Sequence, residues 1–332
     1  MVLGYFVLTY YICFSCNNQK NKLLILFVHS YIHLKMNKFS NALAYYIAIP
    51  FIYFFSVLPW PVLFLFSDFF FLVLYYVLRY RRKIVRMNLI ASFPEKSHKG
   101  LKTIEFRFYR YFTDMIFETL KLFTMSDSQK LARCKIDSET HDLFKSLYNK
   151  GRSTILVMGH YGNWEYCPSG LPLQTEFQSY VIYHPLSNPY FDRMMSRMRT
   201  RTSCKLYTMA GTLKGMISNH NELNMTAFLS DQSPDPKGAY WTNFLNQETA
   251  VFNGSEKIAQ KLQLALIYGS MERVERGKYV YHTKLICEDA TKMQPGEITE
   301  SHLRMLERDI QKAPQYWLWT HRRWKHKKPD KM

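Results

Sequence analysis

Thr154-Ile155-Leu156-Val157-Met158 runs directly into Gly159-His160-Tyr161-Gly162-Asn163-Trp164-Glu165, and the reading of this stretch decides the fold. A short apolar run, rich in β-branched residues and bounded by Gly151 and Gly159, suits a strand buried on both faces of a mainly parallel sheet. Working outward, similar runs recur at Tyr180–Tyr183, Asn224–Leu229, Leu264–Ile267 and Tyr279–Ile286. Helical patterns, Tyr190–Arg201 and Phe252–Leu262, lie between them. Strands that alternate with helices predict an α/β fold, a mainly parallel central sheet flanked by helices. Upstream, Phe106, Tyr109, Phe112, Phe117 and Leu120 recur at helical spacing, and Ser92-Phe93-Pro94-Glu95 marks a helix break and restart. Ser126–Asp142 mixes charge with a few apolar positions and predicts no chemistry.

The chemical content of the deciding stretch is a histidine and a carboxylate, His160 and Glu165, five residues apart. On one helix that spacing would turn them about 140° from each other. With His160 on a strand-to-helix turn and Glu165 in the first helical turn, the carboxylate folds back onto the imidazole, and Gly159 and Gly162 permit the tight backbone. A carboxylate on one ring nitrogen fixes the tautomer, which leaves the other nitrogen to take a proton from a hydroxyl. An arbitrary His and Glu at this spacing more often make a core histidine bonded to a nearby acid. The glycines and the position at a strand's carboxyl end, where α/β sheets bind ligands, favour a site. His141, His220, His282 and His302 lack such a context and are expected at the surface.

Before this region lies a different texture. From Leu43 to Leu78 the chain is almost wholly apolar, with Asp68 its single charge, and Pro50 and Pro59-Trp60-Pro61 divide it. That is longer than the roughly 20 residues of one bilayer-crossing helix. It predicts a membrane anchor over residues 36–83, as one span with an interfacial helix or as a shallow hairpin folded at Pro59–Pro61. Arg79-Tyr80-Arg81-Arg82-Lys83 follows at once, and positive charge beside an apolar segment marks the cytoplasmic side. Residues 84–332 are therefore expected to face the cytoplasm. Residues 1–35 are read as an upstream extension, with translation starting at Met36, or as an extra hydrophobic segment. The formal net charge of +18 and the 16% aromatic content fit an anionic membrane surface or an acidic carrier protein. Six scattered cysteines outline neither a disulfide framework nor a zinc site, and reduced thiols are expected.

The stretch Gly159–Glu165 resembles the H-x4-D/E motif of the lysophospholipid acyltransferase superfamily, and in detail the bacterial lipid A biosynthesis (late) acyltransferase family. Supporting matches run in order from Met36 to Lys325. They include Met87-Asn88-Leu89, Ser92-Phe93-Pro94-Glu95, Asp231-Gln232-Ser233-Pro234, Phe244-Leu245-Asn246 with Thr249-Ala250 and Gly254, and Trp317–Lys325. The resemblance implies an acyltransferase of the bacterial inner membrane, its catalytic part facing the cytoplasm. It moves a fatty acyl chain from an acyl carrier protein thioester to a hydroxyl of a lipid A precursor. His160 is then the general base and Glu165 its partner. Arg199, with Arg201 next, matches the arginine that binds or polarises the donor, and Gly162, Asn163, Asp231 and Gln232 fall among the substrate-binding positions. No metal and no cofactor is implied. Two departures stand out: His184 replaces the Arg or Lys that usually precedes the proline, and Thr202-Ser203 replaces an aromatic-glycine pair.

Two other readings share parts of this pattern. An acyltransferase acting on a glycerophospholipid or glycolipid would carry the same motif. A non-catalytic basic membrane-associated protein has only the charge in its favour, and no nucleic-acid module is recognisable, so no nucleic-acid partner is expected. A hydrolase is weaker, since the chain has no G-x-S-x-G, no H-E-x-x-H and no phosphate-binding glycine loop.

Overall fold

The computed structural model describes residues 38–328, so the expectations for residues 1–35, with Cys13 and Cys16, lie outside the described residues. The described chain opens with two apolar helices, α1 (Lys38–Val57) and α2 (Trp60–Leu72). Pro59, extended at φ −57° and ψ 146°, makes the turn between them, and Pro61 sits in the first turn of α2, where a missing N–H costs nothing. A π-helical turn, Val73–Val77, continues α2. Then come α3 (Arg82–Ser92) and the long α4 (His98–Lys121), which starts at the Ser97 cap, whose hydroxyl accepts from Gly100 N–H.

The remaining elements are α5 (Asp127–Arg133), β1 (Cys134–Ile136), α6 (Ser138–Asn149), β2 (Thr154–Met158), α7 (Tyr166–Gly170), β3 (Gln178–Tyr183), α8 (Pro189–Thr200) and β4 (Lys205–Thr208). These are followed by α9 (Thr212–Ser218), β5 (Asn224–Leu229), β6 (Tyr240–Phe244), β7 (Gln247–Val251), α10 (Gly254–Leu262), β8 (Ala265–Glu275), β9 (Lys278–Cys287) and α11 (Glu297–Lys312).

The main sheet has seven strands in the order β1-β9-β8-β2-β5-β3-β4. All its neighbours are parallel except β8 and β9, a long antiparallel hairpin. Every residue of β2 is buried, as a central strand covered on both faces requires. The α/β reading with a mainly parallel sheet therefore stands at this level, and α8 and α10 replace the two helical patterns within two residues.

Three features were not legible. Strands β1 and β4 sit at the two sheet edges and have only three and four residues. The separate β6–β7 hairpin turns at Leu245 and Asn246, both at positive φ (50° and 62°). Leucine is a poor signal for such a turn, which favours Asn-Gly. The 126–142 segment holds α5 and β1, the former capped by a reciprocal Ser126–Gln129 box.

The core runs from the faces of the sheet into the apolar helices. Ile52, Phe55, Leu63, Phe71 and Tyr75 join the same buried cluster as Phe108, Phe112 and Leu156. Two helices here are long and apolar enough to cross a membrane, Ser40–Val57 and Trp60–Val77, by length and composition alone. Among the described residues Cys134, Cys167, Cys204 and Cys287 are free thiols. Burial pushes Cys134 and Cys204 up to about 12, so they stay protonated and inert.

Candidate active site

Strands β2 and β5 are parallel neighbours in a register that sets Met158 beside Leu229. Two residues further along each chain stand His160 and Asp231, and both have left the sheet at its carboxyl edge. Their side chains meet: His160 Nδ1 lies 2.5 Å from Asp231 Oδ1. The same carboxylate accepts the His160 backbone N–H at 2.9 Å and the Trp317 indole N–H at 2.7 Å through Oδ2. Burial pushes Asp231 upward, yet the His160 ring and these N–H donors outweigh it and hold the carboxyl well below the usual carboxylate range. An ionised Asp231 fixes the ring with Nδ1–H donating and leaves the Nε2 lone pair as an acceptor. The Gln232 side-chain nitrogen sits 3.3 Å from that Nε2.

The sequence assigned the partner carboxylate to Glu165, and here the structure differs. Glu165 is buried just before α7 and receives two hydrogen bonds from Arg199, Nη2 to Oε1 at 2.8 Å and Nε to Oε2 at 3.1 Å. Burial lowers the Arg199 pKa, and the facing carboxylate overcomes this and raises it above the ordinary value. The arginine and the motif glutamate thus neutralise each other, a fork-to-fork pair in which both charges are satisfied. Glu165 does not fold back onto the imidazole, because α7 begins at Tyr166 and Arg199 on α8 has taken both its oxygens.

His160, Glu165, Arg199 and Gln232 all border one cavity of about 290 Å³. The rest of its wall is mostly apolar, with Val181, Ile182, Leu186, Phe228, Phe252 and Ile258. The ring of Trp164 stands edge-on to His160, with centroids 4.9 Å apart. A histidine with an oriented ring thus borders a mostly apolar cavity whose wall includes an ion pair.

Other predicted site residues have different places. Asn163 is fully buried and its amide donates to Glu118 Oε2 at 2.8 Å, so it points into the core away from the cavity. Gly162 takes φ +65°, where an added Cβ would stand 2.6 Å from the Met271 carbonyl oxygen; its role is the backbone bend. Arg201 donates to the carbonyls of Leu122 (3.2 Å), Phe123 and Met125 (3.4 Å), and so caps the C-terminal end of α4. Neither lines the cavity. Two histidines expected at the surface are not free there. His302 is buried, with Nδ1 against the Ile298 carbonyl at 3.1 Å, and His282 contacts Asp137 at 2.5 Å.

Sequence reasoning also missed what the closing segment does. Leu318 N–H donates to the His160 carbonyl at 3.1 Å, Gly162 N–H donates to the Tyr316 carbonyl at 3.1 Å, and Trp317 grips Asp231. The basic-aromatic tail therefore clamps the His160 loop. Its one signal was three tryptophans, Trp317, Trp319 and Trp324, crowded into a polar terminus.

A helix-flanked, mainly parallel sheet thus holds a carboxylate-oriented histidine at the wall of an apolar cavity, beside apolar helices. Residues 33–326 match the bacterial lipid A biosynthesis acyltransferases, and the chain belongs to that family. It is an acyltransferase. It is 24% identical to the lipid A biosynthesis palmitoleoyltransferase of Escherichia coli (strain K12) over 251 residues, 75% of this chain and 80% of that one. To the lipid A biosynthesis lauroyltransferase of the same organism it is 22% identical over 247 residues, 74% of this chain and 79% of that one. A lipid A biosynthesis acyltransferase of Shigella flexneri is similar to the same degree as the first, 24% over 251 residues.

Proposed function

We propose that this acyltransferase moves a fatty acyl chain from an acyl carrier protein thioester to a hydroxyl of a lipid A precursor, with His160 as general base. The observation that carries the reading is the pair His160–Asp231: the ionised carboxylate holds Nδ1, and Nε2, met by the Gln232 amide, is left as the acceptor at the wall of an apolar cavity. The acceptor O–H gives its proton to Nε2, and its oxygen attacks the thioester carbonyl carbon. The carbon–sulfur bond then breaks, and the imidazolium returns the proton to the departing thiolate, leaving an ester and a free thiol. Asp231 steadies the imidazolium while it lasts, the part a buried carboxylate plays behind a catalytic histidine.

Glu165 and Arg199, neutralised as a pair, form a wall of the site in this scheme. The Gln232 amide, which meets Nε2 at 3.3 Å, stands where the acceptor hydroxyl would approach. The mechanism calls on no metal or cofactor beyond the thioester. The net charge of +18 suits both an acidic carrier protein and an anionic bilayer, in keeping with a site at the cytoplasmic face of the bacterial inner membrane.

The test is acyl transfer from a panel of acyl carrier protein thioesters to a purified lipid A precursor, followed by mass spectrometry. Wild type should add the mass of one acyl chain, and His160→Ala should add none. Transfer by a clean His160→Ala preparation would remove the proposed base. Transfer by wild type only to lysophospholipids or glycolipids would replace the acceptor.

A further inference from the structure

Attack on a thioester carbonyl makes a negative charge, and a mostly apolar cavity is a poor place to leave it. As the acceptor oxygen bonds to the carbonyl carbon, one C=O electron pair moves onto the carbonyl oxygen. That oxyanion needs donors until the pair returns, the carbon–sulfur bond breaks and the imidazolium proton passes to the thiolate. Arg199 borders the cavity, but its guanidinium already serves Glu165. The Gln232 amide nitrogen meets His160 Nε2, and the Thr212 hydroxyl donates to the Thr208 carbonyl at 3.1 Å.

Other donors stand on the same wall. Gly254, Ser255 and Ile258 of α10 border the cavity together with His160. Ala259 of α10 is buried in one cluster with Ile155 and Val157 of β2. Just past the end of the helix, Ala265 opens β8 opposite Thr154, the first residue of β2. The helix therefore runs back along the sheet, from its carboxyl edge towards its amino edge. Nine residues of helix cover about 13 Å, and the five residues of β2 cover about 16 Å. The first turn of α10 thus stands level with the edge where His160 leaves β2.

That first turn is uncapped. Asn253 holds the N-cap position, yet its side chain makes no capping hydrogen bond. Among the described residues the N–H groups of Gly254, Ser255 and Glu256 have no partner, and Lys257 N–H is the first to bond, to the Asn253 carbonyl at 3.1 Å. The space beside Gly254 is open, and a Cβ built there would meet nothing within 4 Å. A second observation is independent of the helix end. Ser255 is buried, 1% exposed, and its hydroxyl has no partner among the described residues. A buried hydroxyl without a partner destabilises the fold, and a ligand oxygen would satisfy it. Glu256, the acid of the same turn, is turned elsewhere: its carboxylate accepts from the N–H groups of Gly296 and Thr299, the second at 2.8 Å.

We propose that the first turn of α10 and the Ser255 hydroxyl form the oxyanion site of this enzyme. Free N–H groups, the positive end of the helix dipole and one O–H together receive the charge that appears on the thioester carbonyl oxygen. These donors are in place before substrate arrives, so they need no reorganisation when the charge develops. The inference rests on the thioester reaction proposed above.

The test compares wild type, Ser255→Ala and His160→Ala as full chains. In steady-state transfer, Ser255→Ala should lower kcat about 10²-fold with KM little changed. Its melting temperature should not fall, because the hydroxyl removed has no partner in the fold. Calorimetric titration with octylphosphonate, a tetrahedral anion on an apolar tail, reads the same donors without turnover. Wild type and His160→Ala should both bind it, and Ser255→Ala about 10-fold more weakly, while octanol should bind all three alike. Equal phosphonate affinity in wild type and Ser255→Ala, or an unchanged rate in Ser255→Ala, would overturn the oxyanion site and leave the role of His160 standing. A raised KM for the acceptor at unchanged kcat would overturn it too, since the donors would then hold a phosphate of the bound substrate. Transfer by His160→Ala would remove the base, and the phosphonate titration would still decide the α10 site.

Discussion

Asp231 and Glu165 are both buried carboxylates within one site, yet their hydrogen bonds give them different duties, and substitution should separate them. Asp231→Asn keeps the shape but offers an amide to Nδ1, so the ring settles in the wrong tautomer. We expect kcat to fall about 10²- to 10⁴-fold with KM little changed, read by steady-state transfer kinetics. Glu165→Gln instead strands the buried Arg199 charge, which costs about 3–5 kcal/mol when a buried pair is broken. It should appear first as a lowered melting temperature, and Glu165→Gln with Arg199→Met should recover much of the loss. Two buried histidines add a pH dependence. Burial, with help from Arg323, pushes His321 down to about 3, and burial pushes His302 down to about 4. The unfolded chain takes up these protons below the ordinary 6.5, so the folded state loses stability as pH falls through that window. Melting curves between about pH 7 and about pH 4 should shift downward, and by less in a His302→Gln, His321→Gln chain.

At the scale of elements, the loop from Gly159 to Glu165 is pinned on each side. Asn163 reaches Glu118 on α4, Gly162 N–H reaches the Tyr316 carbonyl, and His160 reaches β5 through Asp231. Asn163→Ala takes one donor from a buried carboxylate and should cost about 1–3 kcal/mol in thermal or denaturant unfolding. Gly162→Ala combines strain at φ +65° with a clash against the Met271 carbonyl, and should cost more than about 1 kcal/mol by the same measurement. The secondary elements that frame this loop were legible because β2 and β5 are internal strands, whose apolar runs stand out from the turns around them. Edge strands β1 and β4 are too short to show a period, and the β6–β7 turn hides behind a leucine at positive φ.

For the whole molecule, Arg276 in the β8–β9 turn ties the apolar hairpin to the rest. It binds Asp68 on α2 at 2.8 Å and Asp114 on α4 at 2.6 Å, while Arg273 reaches Asp114 at 2.7 Å. Asp114 is buried, so Arg276→Ala leaves part of its charge uncompensated. With Arg276 itself partly in solvent, the cost should be about 1–3 kcal/mol. Limited proteolysis should find faster cleavage around Pro59–Pro61 in this variant, as the hairpin detaches more often. Composition and the prolines announced two apolar pieces, but not which faces are covered, because the covering residues come from distant positions, among them 104–121, 188, 191 and 276.

Local patterns were enough to announce the α/β class, the position of His160 at a strand's carboxyl end and the apolar helices, because each depends on residues adjacent in the chain. Composition and the ordered motifs also carried the family. The partner of His160 could not be read in the same way. Glu165 is five residues away and Asp231 is seventy-one, and nothing local ranks the second above the first. Only the parallel register of β2 against β5 brings Asp231 to the ring, and only the packing of α8 hands Glu165 to Arg199. Hydrogen bonds across a sheet edge obey strand register, which is fixed by the burial of both strands together and is written in neither one alone.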